Sequence, residues 1–151
     1  MKFEQSKDIA APLDFTYRQL TNFNQLQRIA SRRNTRVTRL DDRTEPGPGM
    51  RWRAEFRLRG RDREVEVTLD ELVPQERIGF LFEGRETRGS VMIALSALSP
   101  AATRMNSTIV VEGRRLGMWF LLQSLRLAHG RVARRLDDSA GRLATWIGNR
   151  W

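Results

Sequence analysis

The chain has no cysteine, one histidine and one tyrosine in 151 residues, and Lys2 and Lys7 are its only lysines. Without cysteine there are no disulfides and no thiolate metal sites, though the compartment stays open; the cytoplasm is the default expectation. One histidine and no carboxylate cluster at EF-hand spacing leave no expected metal, and no cofactor is expected either. Gly47-Pro48-Gly49 is followed by neither a Lys-Ser/Thr pair nor a helix start, which excludes a phosphate loop. No serine stands in a nucleophile elbow. Long apolar runs are also lacking. The most apolar stretch, Met118 to Leu122, gives way to Gln123, Ser124 and Arg126, short of the ~18–20 apolar residues a bilayer span requires. The opening MKFEQSKDIAAP has no apolar h-region, so no secretory signal is expected.

Basic charge is abundant. The net charge is +9, carried almost wholly by arginine. Such a balance suits nucleic acid or an anionic membrane. These arginines are spread along the chain among acids, however, and an arginine-rich composition on ordinary surface positions accounts for them. Length and hydrophobic content suit one domain, residues 1–151, with its own core.

Alternation and turn residues divide the first three quarters of the chain. Lys2 to Ile9 reads as a strand, with Phe3, Gln5, Lys7 and Ile9 on one side. Pro12 sits at the start of a short helix, Leu13 to Thr21. Asn22 is placed to cap a second, Phe23 to Ala30. Thr35 to Asp41 is a strand rich in β-branched residues. The Pro-Gly loop that follows leads into Met50 to Leu58, where Met50, Trp52, Ala54, Phe56 and Leu58 alternate with Arg51, Arg53, Glu55 and Arg57. Arg63–Leu72, Arg77–Glu83, Arg88–Leu98 and Thr103–Glu112 complete the strands, joined mainly by tight turns and therefore antiparallel. Register in Arg88–Leu98 is open, because both of its faces are apolar.

From Leu116 to Ile147 the period changes. Met118, Leu122, Leu125, His129, Val132, Leu136, Leu143 and Ile147 form one helical stripe. An uninterrupted helix over this stretch would be roughly 48 Å long. A sheet of seven half-apolar strands must curl around a cover, and this helix is the only element large enough. The expected fold class is α+β: a curved seven-stranded antiparallel sheet around a long C-terminal helix, with two short helices between strands 1 and 2.

This order resembles the START / polyketide-cyclase / birch-pollen-allergen superfamily (SRPBCC) with its helix-grip fold. The likeness spans nearly the whole chain. It rests on Ile9-Ala10-Ala11-Pro12, the aromatic helix at Phe15, the helix pair before Arg33, Pro46-Gly47-Pro48-Gly49-Met50-Arg51-Trp52, and Gly89-Ser90-Val91 with the Ser99–Thr103 hairpin. Thr16-Tyr17 stands where relatives commonly have an apolar pair, and the tryptophan often found after the first helix pair is absent. The resemblance implies a cavity between sheet and helix that holds a hydrophobic small molecule: a lipid, isoprenoid, quinone or polyketide. Fold alone does not name an activity.

Candidate cavity residues are Trp52, Phe56, Val67, Phe80, Phe82, Met105, Ser107, Met118, Leu122, Leu125 and His129. Each aromatic has plain core packing as its competing role. Ser107 turns inward if Met105 and Ile109 do. His129 is a candidate acid/base of a cyclase or hydratase, with no readable partner; a partly buried histidine bonded to a strand carbonyl, or one at the stripe edge, competes with that. The arginine face of Arg51, Arg53, Arg57 and Arg59, extended by Arg61 and Arg63, is a candidate for contact with RNA or the ribosome, anionic lipid or protein. It has no interleaved aromatic to stack bases, and cross-strand Arg–Glu pairs on a solvated sheet are expected instead. The protein is expected to be a monomer or homodimer that binds a hydrophobic ligand without transforming it.

Overall fold

The structure, a computed structural model, describes residues 1–31, 35–58, 60–113, 123 and 126–151, with Leu58 by its backbone only. The stripe residues Met118, Leu122 and Leu125 lie outside the described residues, as do Arg33, Arg59 and Trp119. Element order is β1 (Lys2–Ile9), α1 (Leu13–Leu20), α2 (Phe23–Ala30), β2 (Thr35–Arg39), β3 (Arg51–Leu58), β4 (Arg61–Val73), β5 (Arg77–Gly84), β6 (Thr87–Ser99), β7 (Ala102–Gly113) and α3 (His129–Arg150). The seven strands form one sheet in the order β1-β7-β6-β5-β4-β3-β2. Every neighbouring pair is antiparallel. The expected α+β architecture is what the chain adopts.

Register decides which side chains share a face, because residues directly opposite one another project the same way. Thr35 faces Phe56, which faces Arg63. Val67 faces Trp52 on one side and Phe82 on the other. Phe80 faces Val91, Val91 faces Ile109, and Ile109 faces Phe3. These residues form the inner face of the sheet. The same register settles β6: Gly89, Val91, Ile93 and Leu95 point inward, while Ser90, Met92 and Ala94 point out. A bulge between Leu69 and Glu71 shifts the phase of β4, so Leu69 and Leu72, three apart, both serve the inner side.

The core fills one end of this concavity. Ile9, Leu69, Ile78 and Ile147 are sealed from solvent, packed with Leu20 of α1, Phe23 of α2, Met50, Trp52, Leu95, Met105 and Ala144. Local signals place the two short helices. Pro12 precedes α1, and its carbonyl accepts the first turn's bond from Thr16 N at 2.9 Å. Asn22 Oδ1 accepts from Gln25 N at 3.4 Å, as a capping asparagine does.

Two expectations about extent are corrected. Strand β2 stops at Arg39 rather than Asp41. Arg39 turns back to grip the Asp41 carboxylate at 2.6 and 2.8 Å, and Asp41 accepts from Arg51 N at 2.7 Å where a strand would offer a backbone carbonyl. The C-terminal helix is not regular throughout. Gln123, Arg126 and Leu127 are helical, but Ala128 leaves helical geometry (φ −103°, ψ 15°) and the regular helix runs on past Ile147 to Arg150. Gly130, a poor helix former, lies just beyond the break. The His129 ring, at the first position of the helix, also stacks on Phe3 of β1.

Candidate functional site

Beyond the sealed end, the inner face is apolar but only half-buried. Phe56, Val65, Val67, Phe80, Phe82, Val91 and Ile109 form a strip across β3 to β7 at intermediate exposure. Gly89 keeps the strip continuous. It lies opposite Phe82, and a Cβ there would run into the Phe82 ring and the Val110 carbonyl. Glycine therefore lets the aromatic ring lie across the neighbouring strand.

At the hairpin end of the strip lies a groove of about 1140 Å³. Phe56, Val65 and Gly84 line it from the inner face together with Thr35, and acids and arginines from the opposite face make its rim. Arg63 enters it from the inner face, opposite Phe56, and its Nη1 lies 3.3 Å from Glu86 Oε2. This corrects the assignment of Arg63 to the solvated arginine face. The sign was present in the sequence, since Arg63 has the same parity as Val65, Val67 and Leu69. The Arg63 side chain is only 18 % exposed, so this pair is screened less than the Arg51, Arg53 and Arg57 pairs of the outer face.

A second polar group lies on the inner face between the edge strand β1 and its neighbour β7. Ser107 Oγ donates to Gln5 Oε1 at 3.2 Å, and Gln5 is buried. The register turns Ser107 inward with Met105 and Ile109, as alternation predicted. Gln5 was not singled out, although it shares parity with Phe3 and Ile9.

The other candidates are distributed as follows. Trp52 and Met105 belong to the packed core. The Trp52 ring lies 5.5 Å from Phe23 and 6.2 Å from Phe80. Arg39 packs over it at 5.7 Å, held there by Asp41. The Arg39 guanidinium, aided by the amides of Arg51 and Arg43, keeps the Asp41 carboxyl far below the usual carboxylate range. Val67, Phe80 and Phe82 lie on the half-buried strip, and of the described candidates Phe56 alone reaches the groove.

His129 is exposed at the first turn of α3. Its ring stacks on Phe3 at 4.7 Å and 13°, with Nε2 3.4 Å from the Lys2 carbonyl oxygen. The strand-carbonyl contact is the one the sequence set against an acid/base, but the ring is exposed rather than partly buried. On the outer face, Arg51 pairs with Glu66 at 2.7 Å, Arg53 with Glu64 at 2.9 Å and Arg57 with Asp62 at 3.5 Å. Among the described residues no three His, Cys, Asp or Glu side chains stand together as a metal site, and no helix is long and apolar enough to cross a membrane.

Solved structures share this architecture. A protein of Thermus thermophilus superimposes with a TM-score of 0.68 at 17% identity, covering 95% of this chain and 94% of that one. The Zhui aromatase/cyclase of Streptomyces sp. R1128 gives 0.64 at 16% identity, covering 94% of each chain. A START superfamily protein of Mycobacterium smegmatis gives 0.62 at 14%, covering 94% of this chain and 98% of the other. At these identities the likeness concerns the fold. Comparison with curated proteins found no match. Residues 1–147 match the family described as polyketide cyclase / dehydrase and lipid transport; the chain belongs to that family.

Proposed function

We propose that the protein holds a hydrophobic small molecule (a lipid, isoprenoid, quinone or polyketide) against the inner face of its sheet, under the C-terminal helix, without transforming it. The observation that carries this reading is the division of the inner face. One end is sealed by Ile9, Leu69, Ile78 and Ile147, while Phe56, Val65, Val67, Phe80, Phe82, Val91 and Ile109 remain half-buried beside the groove. A ligand on that strip removes apolar surface from water at about 25 cal/mol per Å² before the costs of association. The Arg63–Glu86 pair at one end and the Gln5–Ser107 bond at the other supply the few polar groups that orient a mostly apolar ligand.

Neither alternative draws equal support. His129 sits at solvent with a backbone carbonyl as its polar neighbour, which does not favour a cyclase or hydratase acid/base. The arginines on the outer face of β3 are engaged with acids, which does not favour RNA there.

The test is mass spectrometry of an organic extract of the protein purified from its own host, against a mock purification. The expected result is a stoichiometric apolar compound that also raises Tm when added back to stripped protein. An empty extract, together with no Tm shift from a panel of lipids and quinones, would overturn the reading.

A further inference from the structure

The arginines of this protein differ in their partners. On the sheet, Arg51, Arg53, Arg57, Arg63, Arg77, Arg88 and Arg104 each have a carboxylate within 3.5 Å. Arg36 and Arg61, exposed at the hairpin end of the sheet, form no ion pair among the described residues, and around the start of α3 a larger group has none. Arg126, Arg131, Arg134 and Arg135 are exposed, and among the described residues none of them forms an ion pair. At 3.6 residues per turn, Arg131, Arg134 and Arg135 share the side of α3 opposite Ala140 and Ile147, so they face away from the sheet. Asp138 is the one acid on that side; Asp137 is held by Lys7 at 2.9 Å. Beside this cluster, at the helix break, Leu127 is 94% exposed, the most exposed large hydrophobic residue among those described.

We propose that this edge, Leu127 with Arg126, Arg131, Arg134 and Arg135, docks the protein on an anionic lipid bilayer. Charge complementarity is the first argument. Unpaired arginines near an anionic leaflet each add to the attraction, and the +9 net charge steers the approach. The exposed leucine is the second. A hydrocarbon side chain gains by entering the acyl boundary of a bilayer, whereas a nucleic-acid phosphate backbone offers it nothing. Location is the third. His129, two residues on, stacks on Phe3, and Phe3 faces Ile109 of the half-buried strip, so the docking edge adjoins the open part of the inner face. The docking proposal stands apart from the ligand reading, since neither Leu127 nor these arginines line the groove.

Co-sedimentation of the full chain with vesicles tests it. Binding is expected to phosphatidylcholine vesicles containing phosphatidylglycerol, not to phosphatidylcholine alone, and to fall away at high salt. Arg131→Gln/Arg134→Gln/Arg135→Gln is expected to weaken binding about a hundredfold. Arg51→Gln/Arg53→Gln/Arg57→Gln removes the same charge from the paired sheet face and is expected to weaken it less than about tenfold. Leu127→Ser is expected to weaken binding severalfold without changing its salt dependence. The proposal is overturned if anionic vesicles do not bind. It is overturned if both arginine triples lose affinity alike, because net charge alone would then explain the attraction. Tighter binding to duplex RNA than to vesicles, abolished by the α3 triple, would also overturn it in favour of nucleic acid.

Discussion

Asp41 shows how one carboxylate shapes a strand end. It receives the Arg39 fork and two backbone amides, and its acid form is correspondingly disfavoured in the folded protein. A carboxyl whose folded pKa lies below its unfolded value stabilises the fold above the unfolded value, about 3.9. That contribution declines as pH falls through the unfolded value towards the folded one. Urea midpoints measured at pH 6 and near pH 2.5 are therefore expected to differ less in Asp41→Asn than in the wild type. At pH 6 the variant is expected to be less stable by about 1–2 kcal/mol. Gly89 makes a steric argument of the same kind. Gly89→Ala puts a methyl against the Phe82 ring and a neighbouring carbonyl, with an expected loss of about 1–3 kcal/mol, read as a fall in Tm of several degrees.

At the scale of elements, the C-terminal helix is anchored at both ends by different means. Ala144 and Ile147 are packed into the core, whereas the first turn is held by the His129–Phe3 stack over β1. His129→Ala removes that stack, at an expected cost of about 1 kcal/mol. Hydrogen exchange should quicken at the Arg131 and Val132 amides, which both donate to the Ala128 carbonyl, and stay unchanged around Ile147. Equal deprotection along the whole of α3 would show that the stack does not act locally. The sequence described this helix well by period and poorly by continuity. A stripe of apolar residues reports which side faces the sheet, and it is blind to a turn at Ala128 that keeps His129 on the same side.

For the molecule as a whole, the two ends of the inner face should respond oppositely to truncation. Ile78→Ala lies in the sealed end and is expected to cost about 2–5 kcal/mol while leaving ligand binding intact at temperatures where the protein stays folded. Phe56→Ala lies at the groove and is expected to cost less in stability, yet to reduce the Tm shift given by a bound apolar ligand. Urea denaturation and ligand-dependent Tm on both variants separate the roles. If neither variant alters the ligand shift, the groove end is not where the ligand lies.

The sequence by itself determined the element order, the seven strands, the two short helices with their Pro12 and Asn22 starts, and the helical side that packs on the sheet. These follow from local chemistry: turn residues, caps, and periods of two and 3.6. Parity puts Gln5 with Phe3 and Ile9, whereas Arg63, read from the sequence onto the arginine face, is turned inward by its register opposite Phe56. Only the tertiary structure decided the rest. The register of β6, apolar on both faces, was set by its neighbours β5 and β7. The separation of Trp52 and Met105 from Phe56 and Phe82 arose because α1, α2 and the far end of α3 close over one end of the sheet. Which acid Arg51, Arg53, Arg88 or Arg104 meets depends on the strand beside it, and strand pairing joins residues distant in the chain, which no local pattern records.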